Sequence, residues 1–443
     1  MNLTAQGNEN IILNGNPKKT FFKAVYAKHT NFGLQRFRID FEGNRVLNFT
    51  TPTVLDFKIP RYAEMLHDTY VVVTLPHIYS PLVYDGTAEI GRNLVPYEFR
   101  WIEEIGTNMI SEVEIYSGGI TLARYSGEYI SCLKERDLSL AKKNLWNRMT
   151  GNIPEIYDPG NSNGNVNVYP NSMYMDESGV EPSIRSRKLY VPLDSFFCQS
   201  SKLSLPLVAL QYSEISIRLT FRPTYELYSI NNINDIQDDS CISYRIQPNP
   251  NEINNQLWRF LQPPQDVAAS HEFYNTTRND WNSDVHLIST YIFLDQAERQ
   301  MMAAQPHNIL IKQVHTFDFL GQSGSKVLNL ESRDLVSGLM FRYRRSDAKF
   351  RNEWSNYSNW DYNNVVPQQI SDELPLLAGN EIPNPNNFHI TGAIGEYPYN
   401  QKHILSDFAL IMGGVYRENL LDSGVYNYIE KYVRSVGGAK DGL

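Results

Sequence analysis

The sequence predicts an all-β chain of two antiparallel sandwich domains joined by one short helix. Three observations carry that prediction. Short runs rich in β-branched and aromatic residues recur along the chain, separated by long loops crowded with Asn, Pro and Gly. Helical patterning is confined to a few stretches. Residues 287–319 read as strand, helix, strand, and the chain on either side has the same β-rich character, so that helix reads as a joint between two domains.

The joint can be resolved further. Residues 287–294 form a strand without a breaker. Asp295 stands at the N-cap position with Glu298 three residues on, the spacing of a capping box. Residues 296–305 are strong helix formers, and Pro306 ends the helix because proline lacks an N–H and restricts the residue before it. Residues 308–319 alternate again as a strand. Capping by Asp295 predicts that Asp295→Ala costs about 1 kcal/mol.

In chain order, residues 1–31 form a polar arm. Within it Phe21, Phe22, Val25 and Tyr26 approach helical spacing among Lys18, Lys19, Lys23 and Lys28. The plainer reading is a short segment docked on the fold, and the sharper one a basic foot facing an anionic surface. Strands follow at residues 37–41 and 67–75. Residues 110–116 alternate with Val113 and Ile115 on one face and Glu112 and Glu114 on the other. Ser117, Gly118 and Gly119 supply a turn, and residues 120–125 return as the second arm of a hairpin. Residues 131–149 are helical, and residues 151–182 a long loop. Strands at 189–197 and 215–221 precede a second long polar excursion at 223–264. Beyond the joint, strands are predicted at 326–330 and 338–343, followed by a loop from 354 to 398 rich in Asn, Pro, Trp and Tyr.

Composition bounds the function. The 443 residues, 42% hydrophobic and 20% charged, describe a globular chain long enough for two or three domains. A net charge of −9 argues against a nucleic-acid coat protein, which needs a basic footprint. Cys132, Cys198 and Cys241 fit neither a disulfide framework nor a paired-cysteine metal pattern, which points to a reducing compartment. The amino terminus has no apolar core of a signal peptide, and no apolar run approaches the ~20 residues of a membrane span. The expectation is a soluble protein made inside the cell.

A search for chemistry returns little. No catalytic residue, metal ligand or cofactor site is assigned. The nine histidines show no metal-ligand spacing, and His67 (beside Asp68) and His315 read as packed or edge residues. Residues 321–326 fail the spacing of a phosphate loop and of a nucleophile elbow, and read as a hairpin turn. The basic run at 341–351 places Arg342 and Arg344 on one face of a strand, as a solvated edge or an intersubunit ion-pair site. The aromatic residues of 354–362 could stack on sugars or anchor a loop.

Several stretches together resemble one family. NGNPKKTFFKAVYAKHTNF (residues 14–32) resembles the amino-terminal signature of the major capsid proteins of nucleocytoplasmic large DNA viruses. KLYVPLDSFFCQSSKLSLPLVALQYSEISIRLTF (188–221) is similar to their block ending the first barrel, and TYIFLDQAERQMMAAQPHNILIKQV (290–314) to their inter-barrel joint. ISEVEIYSGGITLARYSGE (110–128) is similar to a hairpin that usually reads EIEIGGQ, with Tyr116 and Ser117 here preceding the glycine pair. DSGVYNYIEKYVRS (422–435) resembles the mimivirus-like branch.

The resemblance implies a double jelly roll, two antiparallel eight-stranded sandwiches with a short inter-barrel helix. It divides the chain into an arm (1–31), a first jelly roll with long loops (32–295), a linker helix (296–306) and a second jelly roll (307–443). It further implies a virion capsid subunit assembled in the host cytoplasm. Homotrimeric capsomers would tile an icosahedral shell, with minor capsid proteins as partners, an inner-membrane contact through the basic arm, and no specific nucleic acid. The family's second barrel continues with strands beyond a region matching residues 424–432, so the second sandwich is expected to be incomplete, its edges open. The competing reading is a jelly-roll carbohydrate-binding module using the 354–362 loop, for which Trp360→Ala would abolish glycan binding. A jelly-roll enzyme would need clustered His and Glu ligands that the sequence does not show.

Overall fold

Eight strands of the first domain pair as a nest, and their ranges show why. They are β1 (Phe32–Asp40), β2 (Thr53–Lys58), β3 (Met65–Leu75), β4 (Ile110–Ser117), β5 (Ile120–Tyr125), β6 (Arg187–Pro192), β7 (Ile215–Phe221) and β8 (His286–Leu294). The first strand pairs with the last, the second with the seventh, the third with the sixth and the fourth with the fifth. One long antiparallel hairpin has thus folded over on itself, giving sheets ordered β1-β8-β3-β6 and β2-β7-β4-β5. That order is the jelly roll. The computed structural model describes residues 6–18, 20, 22–24, 28–85, 93–172, 180–231, 245–264, 274–331, 335–360 and 402–436.

Side-chain alternation decides which face of each strand turns inward. Along β7, Ile215, Ile217, Leu219 and Phe221 are buried while Ser216, Arg218 and Thr220 between them are less so. Leu55 and Phe57 of β2 and Val113 and Ile115 of β4 join them from the same sheet. Val71 and Val73 of β3, Leu189 and Val191 of β6, and Leu287 and Tyr291 of β8 meet them from the other. The polar pair inside, Thr69 and Ser289, is satisfied by a mutual hydrogen bond of 3.0 Å. On the outer face of the second sheet, the register lines up Asp56, Arg218, Glu114 and Arg124 in one row across four strands. Arg218 lies 3.2 Å from Asp56 and 3.0 Å from Glu114. Opposite charges directly across a ladder favour the register, and this row leaves the sheet's outer face polar and self-neutralised.

The predicted hairpin is present as β4 and β5, turning at Gly118 and Gly119 with φ of 54° and 85°. Successive positive φ values are a steric problem for any residue with a Cβ, which is why glycines stand there. The predicted helix at 131–149 is two helices, Gly127–Asp137 and Leu140–Thr150, broken at Leu138 and Ser139, which both take extended backbone. The long loops are tied down by buried tyrosines. Tyr169 of the 151–182 loop donates to the Phe99 carbonyl at 2.6 Å, Tyr97 to Asn254 O at 2.8 Å and Tyr228 to Asn255 O at 2.9 Å. Residues 173–179 and 232–244 of the two long loops lie outside the described residues.

The joint helix is Gln296–Ala304, with Gln305 in extended backbone before Pro306. Asp295 has N-cap backbone geometry, yet its side chain makes no capping hydrogen bond, which corrects the capping-box expectation. The anchor is Glu64, just ahead of β3. It accepts from the Leu294 N–H at 3.0 Å and pairs with Arg299 of the helix at 2.6 Å. A carboxylate at the entry of β3 thus ties the end of β8 to the helix, while the helix N-terminus has no side-chain cap.

Past the joint, the predicted strands at 308–319, 326–330 and 338–343 are not hydrogen-bonded strands among the described residues. Only Ile309, Ile311 and Val314 of the first stretch pack, half-buried, against the first barrel's core. Strand pairing reappears in β9 (Asp407–Met412) and β10 (Val415–Asp422), a hairpin turning on Gly413 and Gly414. Among the described residues the second sandwich is therefore incomplete. The arm also departs from expectation. A helix spans Asn8–Asn14, Phe22 is exposed rather than docked, and Lys19, Phe21, Val25 and Tyr26 lie outside the described residues.

The Glu64 anchor sets an order of effects. Glu64→Ala should lower stability by about 1–3 kcal/mol, the cost of orphaning its partners. Asp295→Ala should change it by less than about 0.5 kcal/mol. Urea denaturation of the two variants beside the parent chain checks that order.

Candidate functional site

Among the described residues no group of His, Cys, Asp and Glu could hold a metal ion, and the one buried carboxylate draws three guanidiniums to a single place. That place is where the chain beyond the joint seats on the first barrel. At its centre is Glu128. Strand β5 ends at Tyr125, and Ser126 caps the next helix by accepting from the Tyr129 N–H at 3.3 Å. A Cβ on Gly127 would lie 1.9 Å from the Thr107 carbonyl oxygen, so only glycine lets the helix start press this closely on Ile105–Asn108. The packing leaves the Glu128 side chain only 4% exposed, in a first helical turn where the backbone N–H groups favour negative charge.

Three guanidiniums converge on Glu128. Arg222, one residue past β7, approaches at 3.0 Å and also donates to Asn108 O at 2.9 Å. Arg344 approaches from beyond the joint at 3.4 Å, and Arg342 pairs with the other carboxylate oxygen. Burial lowers the pKa of Arg222, a pull that Glu128 opposes. Burial, the largest single influence, pulls Arg342 the same way, but there Glu128, Tyr357 and Cys132 together outweigh it and the net shift is upward. The nearby Cys132 thiol is pushed up to about 11, chiefly by burial, so it stays a thiol at neutral pH.

Residues 352–358 complete the seat. The Trp354 ring lies under the Arg222 guanidinium at 3.8 Å and near that of Arg344 at 5.2 Å, while its indole N–H donates to Glu226 O at 2.9 Å. Asn352, in left-handed backbone at φ 59°, donates to the carbonyls of Tyr225 and Tyr228 at 2.8 and 2.7 Å. Asn108 donates to Ser355 Oγ at 2.7 Å. Alongside, Arg345 and Arg351 both bind Asp347, at 2.7 and 3.0 Å. Burial pushes the Asp347 carboxyl up, and the two arginines outweigh it, holding the group down at about 2. The arrangement can bind and hold. It presents no nucleophile or poised base.

The predicted stripe of Arg342 and Arg344 does share a face, but it closes on a carboxylate of its own chain instead of solvent or a second subunit. The aromatic loop is corrected in part. Trp354 is buried and offers no face to a sugar, while Tyr357 is half-buried, its phenol raised well above its usual range by burial. Trp360 is half-buried with Lys402 5.7 Å from its ring, and Tyr362 lies outside the described residues. His67 is a packed histidine, its Nδ1 3.1 Å from Phe197 O, whereas His315 is exposed beside a groove lined by Arg124 and Tyr125. Gly321 and Gly324 both have positive φ, in keeping with a turn, and Cys241 lies outside the described residues. Glu128, Arg222 and Asn352 were not legible in the sequence. The one available signal was Ser126 ahead of an acidic first turn.

Around the seat the chain beyond the joint exposes apolar side chains. Leu310, Leu320, Val327 and Leu335 are each more than four-fifths exposed, and Val415 and Leu420 of β10 about two-thirds. A small aromatic nucleus forms where Phe341 stacks on Phe408 at 4.5 Å with Tyr426 edge-on at 5.7 Å.

Residues 20–295 match the family model described as "Major capsid protein N-terminus". The major capsid protein of Chrysochromulina ericina virus is 27% identical over 74% of this chain and 54% of its own length. Capsid protein 1 of Acanthamoeba polyphaga mimivirus is 29% identical over 71% of this chain and 43% of its own. The chain thus spans about half the length of the curated relatives it matches. Among solved structures, a quasi-atomic model of the PBCV-1 virus capsid aligns with a TM-score of 0.50 at 17% identity, covering 93% of this chain and 76% of its counterpart.

Two outcomes follow from the seat. Glu128→Ala leaves buried guanidiniums without their carboxylate and should cost about 3–5 kcal/mol in urea denaturation. Because Asp347 titrates lower in the folded chain than its ordinary value of about 3.9, its contribution is complete above that value and is lost as pH falls toward about 2. Asp347→Asn should flatten the stability-versus-pH profile across that window and leave its slope above pH ~5 unchanged.

Proposed function

This chain belongs to the major capsid protein family, and from that premise we propose that it is a structural subunit of the icosahedral capsid of a large DNA virus. The observation that carries the reading is the coincidence of the family match with a jelly roll of eight strands, followed by a joint helix and a flank of exposed apolar side chains. The fold is a double jelly roll, the second sandwich incomplete among the described residues. We divide it into arm (1–31), first barrel (32–295), linker helix (296–306) and second barrel (307–443).

In this reading the working chemistry is burial. Three copies associate as a pseudo-hexagonal capsomer, and capsomers meet one another through loops and flanks. An obligate interface of that class typically buries more than ~2,000 Å² and is strongly apolar, which suits the exposed Leu, Val and Ile side chains past the joint. The polar, self-neutralised face of β2-β7-β4-β5 suits solvent instead. The arm, with exposed Phe22, Ile11 and Ile12 among lysines, suits a contact with an inner membrane or minor capsid proteins. Such a subunit resides in the virion and is assembled in the host cytoplasm. The carbohydrate-binding alternative loses its main support with Trp354 turned inward.

Light scattering of the purified chain tests the proposal. A trimer, three times the 51.0 kDa of one chain, is the expected species at micromolar concentration. A well-folded monomer across the whole concentration range, binding glycan and losing it on Trp360→Ala, would replace the capsid reading with the sugar-binding one.

A further inference from the structure

We propose that residues 342–358 are a strap that completes the first barrel and, among the described residues, supplies the dominant contact between the barrel and the chain beyond residue 326. The contacts are of the kind that specify a seat. Asn352 and Trp354 donate to the carbonyls of Tyr225 and Glu226, in the turn after β7, and of Tyr228, which opens the short strand Tyr228–Asn231. Arg342 and Arg344 meet Glu128, which the barrel buries beside its own Arg222. The strap therefore satisfies backbone and charge that the barrel has already removed from water, and leaving them unsatisfied is costly.

The chain on the near side of the strap gives it little help. Residues 315–341 that are described are exposed, and the second half's aromatic nucleus of Phe341, Phe408 and Tyr426 packs on itself. Elsewhere past residue 314 the hydrogen bond from Val436 N–H to Arg136 O, 3.0 Å, reaches the first barrel's helix. The family match to the first barrel ends at 295, nearly fifty residues before the strap begins. The structural unit is thus discontinuous in sequence: residues 32–295 together with 342–358.

The test uses the whole chain with a protease site placed in the exposed turn at 321–326. After cutting, the two pieces should co-elute in size-exclusion chromatography. Trp354→Ala should weaken their association at least about thirty-fold, the scale of a hot-spot truncation. Phe408→Ala, which breaks the nucleus within the second half, should change it less than about three-fold. A synthetic peptide of residues 340–360 should displace the second piece from the cut parent chain, a readout that does not depend on any variant folding. Separation of the pieces on cutting, loss of association with Phe408→Ala but not Trp354→Ala, or no displacement by saturating peptide would each overturn the proposal.

Discussion

The pairing of β8 between β1 and β3 is the constraint on which the rest of the structure depends. Among the described residues strand β1 has no other neighbour in its sheet, and β3 carries β8 on one side and β6 on the other. Until residues 286–294 are in place, the first sheet is split and its half of the core faces water. The contact joins residues some 250 apart in sequence, such as Phe37 with Ser289, so it is an entropically expensive closure. Its reward is the whole interior: Leu287 and Tyr291 turn inward against Val71 and Val73 and the opposite sheet. The joint helix starts two residues after this strand, so closure of the first barrel also fixes where the second half departs. Glu64 makes that departure point rigid, because it belongs to the entry of β3 yet binds both Leu294 and Arg299.

The charges in the seat follow a different logic from those on the surface. Asp56, Arg218, Glu114 and Arg124 are screened by water, and what they supply is register and a face with no appetite for a partner. Glu128 has almost no water, so its three guanidiniums decide whether the local structure holds. Arginine suits that task better than lysine. Its planar group can bind a carboxylate edge and lie over the Trp354 ring together, as Arg222 does, whereas an ammonium is a point charge.

Apolar exposure beyond the joint completes the picture. A barrel that buries its leucines and valines and a flank that displays them are built from one composition. The difference is partners. The stretches 308–319, 326–330 and 338–343 read as strands in the sequence, but such a pattern specifies only which side chains share a face. Hydrogen-bonding neighbours must come from elsewhere, and among the described residues they are supplied only to β9 and β10. The aromatic nucleus of Phe341, Phe408 and Tyr426 gives those neighbours a place to start.

The sequence by itself determined the elements whose signals are local. Period-two alternation set the inward faces of β4 and β7, the glycine pair set the turn between β4 and β5, and proline ended the joint helix at its proper place. Tertiary structure decided everything that needed a distant partner. Asp295 had the right spacing for a cap, but its side chain makes no capping bond, and the joint is held instead by Glu64, which the folded strands bring to Leu294 N–H and Arg299. Trp354 looked available to a ligand until the Arg222 guanidinium and the Glu226 carbonyl claimed its ring and its N–H. Glu128 read as one more carboxylate beside a turn, and its burial follows from a glycine that lets two helices touch. Local pattern fixes what a residue can do. Which of those possibilities is taken depends on what the fold places within hydrogen-bonding reach.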